Sequence, residues 1–235
     1  MMEKHAIILA GGVGSRLRPY TIVLPKPLMP IGDYPILELV IRQLAKNNFT
    51  NITMCVNHQA DLFKTFFGDG TKWGMKINYS LENEVLSTMG PLKIIENLPE
   101  NFLVMNGDIL TDLNYQEFFD NHVKRKELFT ISSSLRKNKI DYGVLELNEE
   151  QYLSHFNEKP IRNYQVSMGI YMLNKRVLDF IPKTKFGFDS LMLKLLDLGK
   201  KVRVEKFEGY WLDIGRPDDY MKAIEDFESM KNFFI

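Results

Sequence analysis

A short apolar run that opens straight onto glycines constrains this chain more than any other feature. Ala6–Ala10 carries no charge and reads as a buried strand, and Gly11-Gly12-Val13-Gly14 follows it without a spacer. Glycine tolerates positive φ and lets a backbone approach a ligand closely. Free N–H groups in such a turn cradle phosphate oxygens. Arg16 and Arg18 add guanidinium forks, which match phosphate geometry. The glycines alone fit a ligand-free strand-to-helix turn equally well; the two arginines tip the reading towards an anion site.

Behind this strand the first half alternates apolar with amphipathic runs, the pattern of a mostly parallel sheet flanked by helices. Ile36–Asn47 places Leu37, Val40, Ile41 and Leu44 at helical spacing. Ile52–Val56 reads as a strand, Ala60–Phe67 as a short helix, Lys76–Ser80 as extended, and Met89–Asn97 as a helix. Phe102–Met105 is a central strand ending at Asn106-Gly107-Asp108, and Tyr115–Lys126 a helix. Then the pattern changes. Phe129–Leu135, Gly143–Leu147, Gln151–Phe156 and Val166–Leu173 are strand-like and closely spaced, which predicts antiparallel additions. Ser190–Leu198 is a helix closed by Gly199. Val202–Phe207 and Tyr210–Leu212 are short strands. Pro217 opens a last helix to about Met230, with Asp218 and Asp219 in its first turn. No linker, repeat or charge block interrupts the 235 residues.

Composition narrows the class. Lys+Arg 30 against Asp+Glu 30 gives zero net charge. That argues against a nucleic-acid-coating or membrane-surface protein, which carries a basic excess. A local anion pocket needs only a few cations and stays compatible. The single Cys55 excludes an internal disulfide framework and a multi-cysteine zinc site, and its apolar neighbours make it a buried strand residue. No run approaches the ~18 apolar residues of a membrane span, and the N-terminal run is too short for a signal peptide; a soluble cytoplasmic protein is expected. His5, His58, His122 and His155 show no metal-site or nucleophile–base spacing and read as structural or solvated. The terminal Phe233-Phe234-Ile235 is apolar enough to dock on the body or on a second copy, although chain ends commonly fray.

Two common phosphate motifs are absent. A dinucleotide fingerprint would need a glycine where Leu17 stands. A P-loop needs Gly-Lys-Ser/Thr, which does not occur. Instead the loop continues to Pro25-Lys26-Pro27, whose prolines fix φ on either side of a lysine.

Gly11-Gly12-x-Gly14-Ser15-Arg16-Leu17-x-Pro19, followed by Pro25-Lys26-Pro27, closely resembles the signature of the sugar-phosphate nucleotidyltransferases, the nucleotide-sugar pyrophosphorylases. Later stations agree in order: Asn106-Gly107-Asp108, Tyr142-Gly143-Val144, Glu158-Lys159-Pro160, Gly169-Ile170-Tyr171 and Trp211-Leu212-Asp213-Ile214-Gly215-Arg216-Pro217. The resemblance runs from about Ala6 to Tyr220 and is nearest to mannose-1-phosphate guanylyltransferase-type members. It implies an α/β, Rossmann-like nucleotide-diphospho-sugar transferase fold. The sheet would be mixed but mostly parallel, flanked by helices, with a small antiparallel sugar-binding lobe. A single domain would occupy residues 1–235, with nucleotide binding in about 1–130, sugar phosphate in about 131–216 and a closing helix over 217–231.

The resemblance also implies roles. Leu9, Ala10, Gly11, Gly12, Gly14, Ser15, Arg16, Lys26, Glu84, Ser87 and Thr88 would hold the nucleotide. Arg16, Lys26 and Asp108 would serve catalysis, and Asp108 with Asp213 would hold Mg²⁺. Tyr142, Gly143, Glu158, Lys159 and Ser167 would meet the sugar phosphate. The partners would be an NTP, GTP favoured, and a sugar 1-phosphate; a homodimer is compatible, nucleic acid and membrane are not expected. Two departures stand out. Leu86-Ser87-Thr88-Met89-Gly90-Pro91-Leu92 stands where many relatives read Leu-Gly-Thr-Ala-Gly-Ala-Leu, and Ser167-Met168-Gly169 replaces Asn-Ala-Gly. Both bear on specificity more than on chemistry. A glycosyltransferase would share the fold and a metal aspartate without needing the Arg16/Lys26 grip. A non-catalytic sugar-nucleotide sensor would bind and release no pyrophosphate.

Overall fold

The computed structural model describes residues 3–12, 14–57, 59–82 and 84–234. Strands β1 (His5–Leu9), β4 (Asn51–Val56), β5 (Lys76–Leu81), β6 (Asn101–Asn106), β8 (Phe129–Lys139), β11 (Ile161–Asn174) and β12 (Arg203–Phe207) form the main sheet. Its order is β12-β8-β11-β6-β1-β4-β5. Only β11 runs against its neighbours: β1 pairs parallel with β4 and β6, and β12 parallel with β8, while β11 is antiparallel to both β6 and β8. The main sheet is thus mostly parallel, as expected. The antiparallel additions are β11 and three small pairs: β2 (Pro30–Ile31) with β3 (Tyr34–Pro35), β7 (Ile109–Thr111) with β13 (Trp211–Asp213), and β9 (Gly143–Leu147) with β10 (Leu153–Glu158).

Strand alternation builds two apolar layers. Ala6, Ile8, Met54 and Met105 face one side. There they meet Leu37, Val40, Ile41 and Leu44 of α1 (Ile36–Lys46), Phe63 of α2 (Ala60–Phe67) and Phe118 and Phe119 of α3 (Tyr115–Arg125). Ile7, Cys55, Val104 and Tyr171 face the other, against Leu191 and Leu195 of α4 (Phe188–Asp197). Full burial raises the thiol pKa of Cys55 and keeps it unreactive. Asn114 caps α3, its side chain accepting from the Glu117 N–H at 3.0 Å. Gly199 follows α4 at φ +63°, the left-handed conformation expected of a helix-closing glycine.

A third cluster joins α5 (Pro217–Phe234) to the turns after β1: Leu17, Met29, Ile31 and Ile36 pack with Ala223, Phe227 and Phe234. Phe234 is fully buried and stacks on Phe227 at 6.3 Å, so the chain end docks on the body and α5 runs beyond Met230. Ile235 lies outside the described residues. Met89–Asn97 is not the predicted helix. It forms one 3-10 turn, Gly90–Lys93, in which the Leu92 N–H donates to Met89 and that of Ile94 to Pro91, both at 3.2 Å, while those of Met89 and Gly90 donate to the Phe186 carbonyl at 3.0 Å. Among the described residues no helix is long and apolar enough to cross a membrane.

Candidate active site

The parallel strands deliver the site to one edge. Where β1 ends, the Ala10 N–H donates to the Cys55 carbonyl at 2.9 Å and the Leu9 carbonyl accepts from Gly107 at 3.0 Å. The glycine loop therefore leaves the sheet at its carboxyl edge, where open α/β sheets bind ligands. Gly14 sits at φ +64°, and a Cβ there would lie 3.1 Å from Thr21 and 3.3 Å from Lys26. No described residue lies within 4 Å of a Cβ built on Gly12, so among the described residues that backbone faces open space. Three 3-10 turns follow, Ser15–Leu17, Tyr20–Ile22 and Lys26–Leu28.

The last of these turns holds Lys26 between its prolines, largely buried, with its ammonium paired to the Asp108 carboxylate. Burial lowers the Lys26 pKa; Asp213 opposes that effect and the nearby Arg16 adds to it. The second aspartate arrives through β13. Asp213 pairs with Ile109 of β7, and the Ile214 N–H donates to the Asp108 carbonyl at 3.1 Å. The ladder thus brings the backbones of Asp108 and Asp213, far apart in sequence, next to each other. Gly215, just beyond, lies against Arg16: a Cβ there would stand 3.4 Å from its guanidinium, an ordinary contact.

The glycine loop, Arg16, Lys26, Asp108 and Gly215 border a cavity of about 350 Å³; Asp213 is not among the residues that line it. Leu9, Ala10, Gly11, Gly12, Gly14, Ser15, Arg16, Lys26, Ser87, Thr88 and Asp108 line it, as do Asn106 and Gly215. Glu84 does not; it is exposed. Glu82 lines the cavity instead, close enough to Gly11 that a Cβ there would lie 3.1 Å from its carboxylate. Burial raises the pKa of Glu82, opposed by a hydrogen bond from the Leu86 N–H. Asn106 ends β6 and Glu82 follows β5, so both stand at the carboxyl edge of the parallel strands.

The departures in the Leu86–Leu92 segment have local causes. Met89 fills the core beneath the loop, fully buried with Leu92 and Leu191. Thr88 accepts from the Phe188 N–H at 2.8 Å, tying the loop to α4. Ser87 has φ +66°, the left-handed region that favours glycine. Such a conformation costs a non-glycine residue about 1–2 kcal/mol. Glycine's greater unfolded-state freedom offsets about 0.4–1 kcal/mol of that. Ser87→Gly should therefore stabilise the fold by about 0.5–1 kcal/mol, read as a higher urea midpoint at unchanged slope. A midpoint at or below that of the unmodified protein would contradict this account of the strain.

The expected sugar-phosphate residues lie apart from this cavity. Gly143 faces Glu158 across the β9–β10 hairpin, and Phe156 covers Gly143 closely. Lys159 follows at φ +45°, its ammonium 3.9 Å from Glu158 and both side chains exposed. Tyr142 is 79% exposed. Ser167 donates to the Tyr171 hydroxyl and accepts from the Gly169 N–H, both at 3.2 Å. The hairpin thus gathers Tyr142, Gly143, Glu158 and Lys159 into one group, with Ser167 on neighbouring β11.

Among the described residues no three His, Cys, Asp or Glu side chains form a metal cluster. Asp108 and Asp213 nevertheless suit a hard cation that takes its remaining ligands from water and phosphate. Oδ1 of Asp108 is buried without a hydrogen-bond partner, an unsatisfied acceptor at the cavity wall. The histidines stay outside this chemistry. His5 meets Thr53 at 2.8 Å, His122 is buried against Thr130 with its pKa lowered to about 4, and His155 is exposed. His58 lies outside the described residues.

Curated relatives include mannose-1-phosphate guanyltransferases of Debaryomyces hansenii, 32% identical over 92% of this chain, and of Saccharomyces cerevisiae, 30% identical over 92%. The chain spans 62% and 63% of their lengths, respectively. In shape it is similar to HddC from Yersinia pseudotuberculosis, crystallised with GMP-PN: TM-score 0.71, 27% identity, 95% of this chain and 99% of that one. A Bacillus anthracis protein described as a glucose-1-phosphate thymidylyltransferase shares the fold at TM-score 0.74, covering 95% and 94% of the two chains at 22% identity. The nucleotidyl transferase family model matches residues 5–230, and with the glycine loop and the proline-held lysine at one cavity the chain belongs to that family.

Proposed function

We propose that this protein transfers a nucleotidyl group from an NTP, GTP favoured, to a sugar 1-phosphate, giving an NDP-sugar and pyrophosphate. The observation that carries the reading is the cavity at the glycine loop, where Arg16 and Lys26 meet Asp108 beside open backbone. Cations and a glycine cradle suit a triphosphate, and the names of the guanyltransferase relatives favour guanine.

The chemistry is an in-line displacement. An oxygen of the sugar phosphate attacks the α-phosphorus; the bond from that phosphorus to the β-bridging oxygen breaks, and pyrophosphate leaves with the electron pair. Such a reaction needs positioning and charge stabilisation rather than a nucleophilic side chain. Arg16 and Lys26 hold the triphosphate and stabilise charge growing on pyrophosphate. Lys26 does so by exchanging its Asp108 partner for phosphate oxygens. Glu158 binds a sugar hydroxyl, Lys159 the sugar phosphate, and Tyr142, Gly143 and Ser167 shape the sugar site. Asp108 and Asp213 would hold Mg²⁺, which supplies Lewis-acid polarisation of phosphate oxygens when bound. Residues up to about 130 serve the nucleotide and 131–216 the sugar phosphate, while 217–231 close the domain.

Exchange of labelled pyrophosphate into NTP tests direct transfer. Exchange is expected only when the NDP-sugar is also present; exchange with NTP alone would indicate a covalent nucleotidyl-enzyme and contradict the mechanism. Lys159→Ala should raise the KM for sugar 1-phosphate far more than that for NTP, in initial-rate measurements with each substrate varied. Equal changes in both would remove Lys159 from the sugar-phosphate site.

A further inference from the structure

Two carbonyls of the glycine loop are held by side chains that stand outside the cavity. Nδ2 of Asn57 donates to the Gly11 carbonyl and Oγ1 of Thr21 to the Gly14 carbonyl, both at 2.8 Å. Gly11, Gly12, Gly14 and Ser15 line the cavity, whereas Asn57 and Thr21 do not. Each holding side chain is itself fixed. Asn57 directly follows β4, and its Oδ1 accepts from the Gln59 N–H at 3.1 Å, which orients the amide. Thr21 is buried, and its methyl faces Gly14, where a Cβ would stand 3.1 Å away.

In a trans peptide the C=O and the N–H point in opposite directions. The Gly11–Gly12 and Gly14–Ser15 bonds are trans. A carbonyl drawn to Asn57 therefore turns the Gly12 N–H away from Asn57, and one drawn to Thr21 turns the Ser15 N–H away from Thr21. Glycine makes such control necessary. It adopts both signs of φ readily, so the neighbouring peptide planes have little preference of their own. A reversed plane would present a carbonyl oxygen to an anion where the site needs a donor. We propose that Asn57 and Thr21 are positioning residues that turn the Gly12 and Ser15 N–H groups towards the phosphates of the bound NTP. The identity of the ligand rests on the nucleotidyl-transfer reading; the loop geometry does not. The two holds differ in strength. The Gly14 carbonyl also accepts from the Leu17 N–H at 2.9 Å, so the loss of Thr21 leaves it partly held. Asn57 is therefore the more important of the pair.

Uncharged variants separate positioning from packing. Thr21→Val keeps the branched shape and removes the donor. Thr21→Ser keeps the donor and removes the methyl beside Gly14. Asn57→Ser keeps an acceptor for the local turn, which serine also closes, but is one bond too short to hold Gly11. Calorimetric titration with inorganic tripolyphosphate reads the cradle without help from base or sugar. Binding should weaken about tenfold in Asn57→Ser and about fivefold in Thr21→Val, and stay within about twofold in Thr21→Ser, as expected for the loss or retention of one hydrogen bond. In steady-state kinetics the two weakened variants should raise the KM for NTP and leave that for sugar 1-phosphate unchanged. A larger loss in Thr21→Ser than in Thr21→Val would assign Thr21 to packing and overturn the proposal. So would unaltered affinity in Asn57→Ser, or an unmodified protein that binds no tripolyphosphate. If circular dichroism shows that Thr21→Val does not fold, Asn57→Ser carries the test from the other side of the loop. Weakened tripolyphosphate binding in the variants, with no pyrophosphate release from any NTP by the unmodified protein, would support the positioning role and remove the transfer reading. Transfer by the unmodified protein with unaltered affinities in the variants would do the reverse.

Discussion

Asp108→Asn is expected to lower turnover by at least about 10²–10³-fold, the usual effect of removing one fixed electrostatic group from a site where charge develops. The substitution keeps the size of the side chain and removes only its charge. That charge currently faces the Lys26 ammonium, on a backbone that the Ile214 N–H ties to the end of β13. Without it Arg16 and Lys26 face less negative charge, which favours NTP binding but misplaces a cation. Affinity for NTP should therefore hold or improve while turnover falls, and excess Mg²⁺ should restore little. Pyrophosphate release at saturating substrates measures this; a rate within a few-fold of the unmodified protein would remove Asp108 from the catalytic groups.

The second large effect belongs to Lys26. Lys26→Met retains an unbranched stem in the space beside Gly14 but leaves Asp108 without its partner. The two side chains are only 13% and 11% exposed. Breaking a buried pair by removing one member costs about 3–5 kcal/mol, chiefly because the other charge stays buried and uncompensated. Urea unfolding should show this loss, and the double variant K26M/D108N should recover much of it in a double-mutant cycle. Additive losses would mean that the pair contributes nothing through its own contact. In kinetics Lys26→Met should reduce kcat/KM for NTP by about 10²–10³-fold, in line with the loss of one stabilising donor. Lys26→Arg should recover little, because the flanking prolines fix the backbone and a planar fork fits the narrow position badly.

Much of this arrangement was legible in the residues. Alternation placed β1, β4 and β6, since parallel strands covered on both faces must be apolar throughout. The helices α1, α2 and α3 followed from apolar spacing and their termini. Met89–Asn97 misled because its periodicity is that of a helix while its own hydrogen bonds close over three residues and its start is tied to Phe186, a tertiary pairing that no local pattern reveals. The glycine loop and Lys26 were visible as chemistry, and Asp108 as the end of a strand. The meeting of Asp108 with Asp213 was visible only through family resemblance, because a two-strand ladder between distant segments leaves no periodic trace. Glu82 was hidden for a related reason: its place depends on where β5 stops, and a shift of two residues separates it from the exposed Glu84.

The central claim is nucleotidyl transfer, and a matrix of pyrophosphate release tests it most directly. GTP, UTP, dTTP, CTP and ATP are each incubated with a panel of sugar 1-phosphates, folded protein and Mg²⁺. Release is expected with GTP, dependent on the sugar 1-phosphate and equal in amount to the NDP-sugar formed. Release of no pyrophosphate in any combination would contradict the account.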